Sequence, residues 1–266
     1  MTRVAVVGHV EWVDFVSVPH LPVHGKILNA ESAFARAGGG GAVAASVLAE
    51  LGAEVDFYCA LGRDADGEAT VAQLEGRGVR MHVAWRDEPT RRAVTFLEPS
   101  HERTIVTLGD RLQPSGSDDL DWGRIQDAGS VYFTAGDDGA LAKAHASPFV
   151  VASPRARTVL EAEGAYIYAL VFSEGDDDES AWAHRVASHT RLLVATAGAD
   201  GGHWWGESEG RWSAAPLPGP PRDTYGCGDS FAAAFTLGLG QGDSIAGAAK
   251  LGAEAGALAL TRVGTP

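Results

Sequence analysis

The sequence lacks the features that mark disulfide-rich, metal-binding and membrane-spanning proteins. Its 266 residues include only two cysteines, Cys59 and Cys227, which are too few for a disulfide framework and do not have the spacing of a metal site. The nine histidines are scattered, and none forms a pair in the context of a zinc protease. No apolar run reaches the roughly 18 residues that cross a bilayer. We therefore expect neither a transition metal nor a membrane partner.

An excess of basic residues is also absent. The chain has 35 acidic and 21 basic residues, for a net charge of −14. Nucleic-acid binding requires a basic face, so no such partner is expected. Residues 1–8 lack the long apolar segment and cleavage site of a signal peptide and resemble a core strand, which predicts a cytoplasmic location. Length and a hydrophobic content of 45% fit one large α/β domain.

Short apolar runs alternate with helix-like segments along most of the chain. Buried strands separated by helices imply right-handed βαβ units and a mostly parallel sheet with both faces covered. The fold class is therefore α/β. The predicted strands are 4–8, 55–60, 130–134, 149–152, 166–172 and 192–196, and the predicted helices include 41–51, 67–77, 138–145 and 244–261.

Two segments, 12–37 and 91–108, interrupt this alternation with extended stretches that have no helix between them. Residues 92–97 and 103–107, with a turn at 99–101, predict a β-hairpin. Such a hairpin is either an edge of the main sheet or part of a small separate sheet that covers a pocket.

The most informative segment is 223–235, which begins Asp-Thr-Tyr-Gly-Cys-Gly-Asp and continues as an apolar, small-residue helix. A tight turn before a helix directs backbone N–H groups and the positive helix end at one point, which suits a phosphate. Asp229 lies beside that point, where its carboxylate could take a proton from an attacking nucleophile. These are the minimum parts for phosphoryl transfer.

This segment resembles the second signature of the ribokinase-like sugar kinases, the PfkB carbohydrate kinase family, which reads D-T-x-G-A-G-D; Cys227 replaces the usual alanine. The resemblance implies a three-layer α/β/α kinase domain over 1–266, with segments 12–37 and 91–108 as an inserted β-sheet lid. It implies an enzyme that uses ATP and Mg²⁺ to phosphorylate a hydroxyl of a small, sugar-like substrate. Asp229 would be the catalytic base, and the amides of Gly226, Cys227 and Gly228 would form the anion hole.

The glycine run at 38–41 resembles the family's first signature, G-G-x-G-x-N, in which glycine amides and an asparagine hold the sugar. Gly39 and Gly40 are thus predicted to bind substrate, but Val43 stands where the asparagine is usual. Asp14 follows the first strand, where the family has an aspartate that binds sugar hydroxyls; without the resemblance it would be a solvated loop acid. Asp137 either reaches the sugar pocket or caps the following helix.

Nucleotide binding is assigned by resemblance to the family's T-x-G-x-x-G loop. Thr196, Gly198 and Gly201 match this loop, and Asp223 and Thr224 belong to the nucleotide site as part of the second signature. The family's N-x-x-E motif, which organises Mg²⁺ through water, falls on Ser173 and Asp176, both altered here. Asp176 is the predicted metal residue, with a solvated helix start as the alternative.

Several questions stay open at this stage. Cys227 is either a reactive thiol at a helix start or, as we expect, a passive small residue. Arg91, Arg92 and Arg103 of the predicted lid either pair with an acidic or phosphorylated substrate or lie on a solvated edge. Lid sheets of the family often pair into dimers, so the resemblance leaves both a monomer and a homodimer through the lid open. A nucleoside kinase and a non-catalytic ligand sensor of the same fold remain alternatives to a sugar kinase.

Overall fold

The computed structural model describes residues 1–100, 103–162 and 164–265. Within these residues the strands are β1 (Arg3–Val7), β2 (Glu11–Ser17), β3 (Ser32–Gly38), β4 (Glu54–Gly62), β5 (Val79–Arg86), β6 (Arg92–Leu97), β7 (Arg103–Leu108), β8 (Ser130–Phe133), β9 (Val150–Ala152), β10 (Ile167–Ser173), β11 (Thr190–Thr196), β12 (Gly202–Gly206) and β13 (Gly210–Trp212). The helices are α1 (Gly39–Glu50), α2 (Ala65–Glu75), α3 (Asp138–Ala144), α4 (Arg157–Leu160), α5 (Asp177–Arg185), α6 (Cys227–Gln241) and α7 (Ile245–Leu260).

The main sheet has nine strands in the order β13-β12-β11-β10-β9-β8-β1-β4-β5. All pairs from β11 to β5 are parallel, and only β12 and β13 run antiparallel. Along β1, Val4 and Val6 pack with α1, α6 and α7, whereas Ala5 and Val7 pack with α3 and α4 on the other face. This alternation of side chains buries both faces of the sheet. The predicted three-layer α/β class is confirmed.

Strands β5, β12 and β13 were not predicted from the sequence. They lie at the two edges of the main sheet, where burial is incomplete. Strand β5 mixes charged and apolar residues, and β12 begins and ends with glycine, so none of them forms the continuous apolar run typical of an interior parallel strand. The strands and helices that were predicted agree with the structure to within two residues at either end.

The two interrupting segments form a separate four-stranded sheet in the order β3-β2-β6-β7, called the small sheet below. Strands β6 and β7 pair antiparallel, as the predicted hairpin requires. Strand β2 joins β3 antiparallel and β6 parallel, so the hairpin is not an edge of the main sheet. His101, in the predicted turn, lies outside the described residues.

Helices α6 and α7 pack closely against each other. A Cβ on Gly238 would lie 2.7 Å from Ala248 Cα, so only glycine permits this approach. The predicted last helix, 244–261, is thus confirmed as α7 and packs on α6. None of the helices in the described ranges has the length and apolarity of a membrane span.

Candidate active site

A cleft of about 220 Å³ lies between the small sheet and the carboxyl edge of the main sheet. Its walls come from the loop after β1, the start of α1, strands β6 and β7, the turn after β9 and the start of α6. Ligands of open parallel sheets bind at this edge because the strand ends and following loops converge there. Of the predicted site residues, Gly39, Gly40, Gly226 and Asp229 line this cleft.

The turn before α6 contains backbone amides that have no hydrogen-bond partner within the described residues. Gly226 caps the helix with φ of 72°, a left-handed conformation that glycine adopts without strain. Within the described residues, the N–H groups of Gly226 and Gly228 have no hydrogen-bond acceptor, as expected for a helix start. The Cys227 N–H makes a long, 3.5 Å bond to the Thr224 carbonyl oxygen. Two of the three predicted anion-hole amides are therefore free to bind a ligand.

Asp229 is held in the first turn of α6 by one partner on strand β8 and by one that follows strand β9. The Tyr132 hydroxyl donates to its Oδ1 at 3.1 Å, and Arg155 Nη2 lies 3.4 Å from its Oδ2. The Asp229 charge raises the pKa of Arg155, and burial together with that charge raises the pKa of Tyr132. Arg155 thus stays cationic and Tyr132 stays protonated beside the carboxylate, which is only 7% exposed.

Asp223 fixes the shape of the turn that leads to Asp229. Its Oδ1 accepts from the Tyr225 N–H and its Oδ2 from the Gly264 N–H, both at 2.8 Å. The side chain is 1% exposed, so both oxygens are used inside the protein. The Thr224 hydroxyl accepts a hydrogen bond from Arg103 of β7. These two predicted nucleotide residues therefore have protein partners.

The glycines at the start of α1 lie against this turn. The Gly39 N–H donates to the Tyr225 hydroxyl at 2.9 Å, and the Gly40 N–H donates to His9 Nε2 at 3.3 Å. A Cβ on Gly40 would lie 2.8 Å from Asp229 Oδ1, so glycine is needed for this approach. Val43 is buried one turn further along α1, where a Cβ on Gly226 would come within 3.0 Å of it. Val43 thus supports the turn by packing.

Asp14 is not among the residues that the structure brings into the cleft. Side chains alternate along β2, so Glu11, Val13 and Phe15 turn to the buried side and Asp14 to the opposite face. There its Oδ2 pairs with Arg92 Nη2 at 2.7 Å. Glu11 lines the cleft instead. Burial raises the pKa of Glu11, although the nearby arginines act to lower it.

Apart from residues of the segment 91–108, five residues of the cleft were not predicted as site residues: His9, Arg111, Arg155, Glu11 and Tyr225. Arg155 follows β9 in a short 3-10 turn at Pro154–Ala156, and Arg111 follows β7. Tyr225 lies inside the second signature but at its variable position, to which the signature gives no role. No motif marks the other four residues, and only the fold brings them to Asp229 from distant parts of the chain.

Comparison with known proteins gives the family. The model of the pfkB family carbohydrate kinases matches residues 1–144 and 165–266, which is most of the chain. The chain belongs to the pfkB carbohydrate kinase family. The family's second signature is thus the turn and helix start around Asp229.

Curated relatives of the family align over parts of their length. Ribokinase of Arabidopsis thaliana is 29% identical over 133 residues, covering 47% of this chain and 35% of the relative. An ATP-dependent ribose-1-phosphate kinase of Halopiger xanaduensis is 28% identical over 137 residues, covering 51% of this chain and 46% of the relative. The chain therefore spans less than half the length of either curated relative.

Solved structures of the family share the fold over nearly the whole chain. Arabidopsis thaliana ribokinase complexed with ribose and ATP has a TM-score of 0.79 at 23% identity, covering 100% of this chain and 95% of that one. A microbiome-derived acarbose kinase has a TM-score of 0.80 at 26% identity, covering 99% and 94%. A putative ribokinase of Agrobacterium tumefaciens has a TM-score of 0.81 at 20% identity, covering 99% and 92%.

Two acids that the sequence predicts as site residues are helix caps in this structure. Asp137 caps α3, and its Oδ1 accepts from the Ala140 and Gly116 N–H groups at 2.7 and 2.8 Å. Asp176 caps α5 and accepts from the Glu179 N–H at 3.0 Å. Neither lines the cleft. Among the described residues, no group of three or more His, Cys, Asp or Glu side chains is placed to hold a metal ion.

The residues predicted to form the nucleotide loop lie at the end of β11 and directly after it. Gly198 and Gly201 have positive φ values of 55° and 85°, and the Ala197 N–H closes the loop on the Gly201 carbonyl oxygen. A Cβ on Gly201 would lie 2.1 Å from the Trp212 carbonyl oxygen, so the loop needs glycine there. The Thr196 hydroxyl donates to the Phe172 carbonyl oxygen at 3.2 Å, which ties β11 to β10.

Cys227 is the one departure from the pfkB signature within this turn. Burial raises the pKa of its thiol to about 11, against a lowering effect of Arg103. The thiol is therefore protonated at neutral pH and lies 4.0 Å from the Asp223 carbonyl oxygen. This supports a passive packing residue over a reactive thiol.

Proposed function

We propose that the protein is an ATP-dependent kinase that phosphorylates a hydroxyl of a sugar or sugar-like molecule. The observation that carries this proposal is the position of Asp229 in the cleft, beside the free amides of Gly226 and Gly228 at the start of α6. A carboxylate next to an anion site is the arrangement that in-line phosphoryl transfer requires. Family membership supports the same reaction.

In this mechanism Asp229 orients the acceptor hydroxyl and takes its proton. An ionised carboxylate can accept that proton, and its Oδ1 and Oδ2 are held by Tyr132 and Arg155. The deprotonated oxygen attacks the γ-phosphorus of ATP. The bond from this phosphorus to the oxygen that bridges it to the β-phosphate breaks, and ADP leaves. Positioning of the hydroxyl by fixed groups contributes much of the rate in such reactions.

The amides of Gly226 and Gly228 would stabilise the charge on the transferred phosphoryl group. They need no reorganisation because Asp223 already fixes the turn through two backbone hydrogen bonds. Arg103, which contacts Thr224 in that turn, adds a positive charge from the small sheet. The free amides at a helix start fit a phosphate, which is the structural support for ATP at this place.

The remaining part of the nucleotide is assigned to the loop of Thr196, Gly198 and Gly201 after β11. Mg²⁺, implied by the family, would be held by nucleotide phosphates and water. The described residues offer no cluster of metal-ligating side chains, and the Asp176 carboxylate already caps α5. The protein's own part in catalysis therefore rests on the Asp229 carboxylate, the helix-start amides and two arginines. The amides are those of Gly226 and Gly228, and the arginines are Arg103 and Arg155.

The small sheet would act as a lid that keeps water from the reaction. Ala93, Ile105 and Thr107 of the β6–β7 hairpin line the cleft together with residues of the main sheet, so the hairpin already forms one wall. Exclusion of water protects ATP from hydrolysis, because water competes with the acceptor hydroxyl.

A sugar-like acceptor fits this cleft better than a nucleoside. The cleft is small, and most of its lining is glycine or charged. A nucleoside base would need an apolar wall, whereas Ala93, Ile105 and Tyr225 are the only hydrophobic side chains among the lining residues that the structure describes. The solved ribokinase of A. thaliana, which contains ribose and ATP, supports the same class.

A non-catalytic sensor is the second candidate, favoured by the ion pair between Arg155 and Asp229. A base paired with an arginine is less available for proton transfer than a free carboxylate. The kinase is preferred because a sensor does not need a carboxylate beside free helix amides.

The test is ADP formation by the purified protein with ATP, Mg²⁺ and a panel of sugars, sugar phosphates, sugar acids and nucleosides. We expect ADP formation that depends on a sugar-like acceptor, with transfer checked by phosphorus NMR of the product. Turnover with nucleosides alone would replace the sugar kinase by a nucleoside kinase. Ligand binding without turnover anywhere in the panel would favour the sensor.

A further inference from the structure

The cleft carries an excess of positive charge in a strongly acidic protein. Among the described residues, Arg91, Arg103, Arg111 and Arg155 line it, against two carboxylates, those of Glu11 and Asp229. The chain as a whole has a net charge of −14. Four guanidinium groups around one small cleft repel one another unless an anion lies between them. The arrangement therefore indicates an anionic ligand.

Two of the four arginines have partners that belong to the proposed transfer step. Arg155 pairs with Asp229, with Nη2 3.4 Å from Oδ2. Arg103 donates to the Thr224 hydroxyl in the turn before α6. These two arginines lie where the transferred phosphoryl group would be, so they do not by themselves require a charged acceptor.

Arg91 and Arg111 are left with weaker partners. Arg91 Nη1 lies 3.5 Å from Glu11 Oε1, and its buried Nε has no hydrogen-bond partner within the described part of the chain. Arg111 Nη1 donates to the Arg155 carbonyl oxygen at 3.0 Å, and Arg111 has no carboxylate within ion-pair distance among the described residues. Within the described residues, no hydrogen bond or ion pair joins either arginine to the turn before α6. Their unused donors are available to a ligand in the cleft.

His9, in the same cleft, is disfavoured from taking up a proton by burial and by the neighbouring arginines. Its pKa lies well below the ordinary value because the ring is buried and because Arg155, Arg111 and Arg91 disfavour a further positive charge. Burial and the charges of Arg91 and Arg155 likewise lower the pKa of Arg111. Neutral His9 accepts from the Gly40 N–H, so it adds no positive charge of its own.

We propose that the acceptor of this kinase carries a negatively charged group, a phosphate or a carboxylate, which Arg91 and Arg111 bind. The inference rests on the proposed function and narrows its substrate class to anionic sugars. Planar guanidinium groups bind the oxygens of both anions in pairs, so the two chemistries share this site. The product would then carry two anionic groups.

The test measures binding rather than turnover, by calorimetry in the presence of a non-hydrolysable ATP analogue. Matched pairs are compared: ribose with ribose 1-phosphate and ribose 5-phosphate, and glucose with glucose 6-phosphate and gluconate. We expect at least one charged member to bind at least tenfold more tightly than its neutral partner. Preference for the phosphates or for gluconate identifies the anion.

Variants show whether the two arginines cause the preference. Arg111→Gln and Arg91→Gln should each remove most of the preference for the charged ligand. Both should leave the affinity for the ATP analogue within about twofold of the wild type. Arg111→Lys should restore part of the preference for the charged ligand. Arg92→Gln is the matched control, because Arg92 pairs with Asp14 and Asp66 outside the cleft. Melting temperatures confirm that each variant is folded.

Equal or weaker binding of the charged member in every pair overturns the inference. So does an equal loss of ATP-analogue affinity in Arg111→Gln and Arg91→Gln, because the arginines would then serve the nucleotide. Failure of the proposed function is seen separately, as absence of ADP formation with every acceptor. The binding preference does not depend on that result.

Discussion

The guanidinium group of Arg103 donates a hydrogen bond to the hydroxyl of Thr224, which connects the small sheet to the turn before α6. Arg103 begins β7, and Thr224 lies two residues before the glycine that caps α6. One bond thus links the proposed lid to the proposed phosphate site. A phosphate bound at this turn would therefore also be linked to the small sheet through Arg103.

Removal of this link should impair closure of the lid. We expect Arg103→Ala to lower kcat and to raise ADP formation without an acceptor, because water enters the cleft. The measurement is the ratio of ADP formed to acceptor phosphorylated, which should be near one in the wild type. Thr224→Val removes the acceptor oxygen at similar volume, and the double variant should be little worse than Arg103→Ala. Additive effects would show that the bond itself is not responsible.

Asp223 should be important for stability. Asp223→Asn replaces one acceptor oxygen by an NH₂ group, which faces either the Tyr225 or the Gly264 N–H and leaves one amide unpaired. A lost buried hydrogen bond of this kind costs about 1–3 kcal/mol. Urea unfolding should show this decrease in the free energy of unfolding. An unchanged midpoint would mean that the turn is held by other contacts.

The sequence predicted those parts of the site that depend on local chemistry. The turn at Gly226 and Asp229 is recognisable because glycine and an apolar helix have a local structural meaning. Arg155 is different, since it lies 74 residues before Asp229 and only the order of the strands brings the two together. No local pattern contains that information.

Three acids that the sequence assigns to the site, Asp14, Asp137 and Asp176, do not line the cleft. Asp14 and Glu11 lie on the same strand, and the side-chain alternation of β2, which decides which of them faces the cleft, is set by where the strand begins. Asp137 and Asp176 precede helices, where an acid suits both a ligand site and an N-cap. The structure shows the caps, through hydrogen bonds to Ala140 and Glu179.

Gly228 provides a test of the anion site that leaves the fold unchanged. A Cβ on this residue would meet nothing within 4 Å among the described residues, and its φ is not positive. Gly228→Ala should therefore fold normally, with a stability equal to the wild type or up to about 1 kcal/mol higher, as alanine favours helices. We expect kcat to fall at least tenfold if the phosphoryl group lies against this amide. Gly123→Ala, whose nearest contact would be 3.6 Å away, is the control.

His9 should make the protein less stable in acid. Burial and the nearby arginines lower its pKa in the folded state, whereas the unfolded chain protonates it near the ordinary value of 6.5. The unfolded state therefore binds more protons below about pH 6.5, so this contribution is fully present above that pH and is lost as the pH falls. The loss is up to about 1.4 kcal/mol per pH unit.

The measurement is the free energy of unfolding between pH 7 and pH 5 for the wild type and His9→Asn. The variant should show a flatter dependence on pH, since it has no imidazole to protonate. His20→Asn, at an exposed histidine, controls for the substitution itself. Identical slopes for the wild type and His9→Asn would contradict the assignment of His9 as a buried neutral ring.

The most direct test of the account is phosphoryl transfer by Asp229→Asn. Asparagine keeps the size of the side chain but cannot take the proton of the acceptor hydroxyl. With the wild-type acceptor and saturating ATP, we predict a loss of about 100- to 10,000-fold in kcat, with nucleotide affinity by calorimetry nearly unchanged. Turnover near the wild-type rate would contradict the role of Asp229 as the catalytic base.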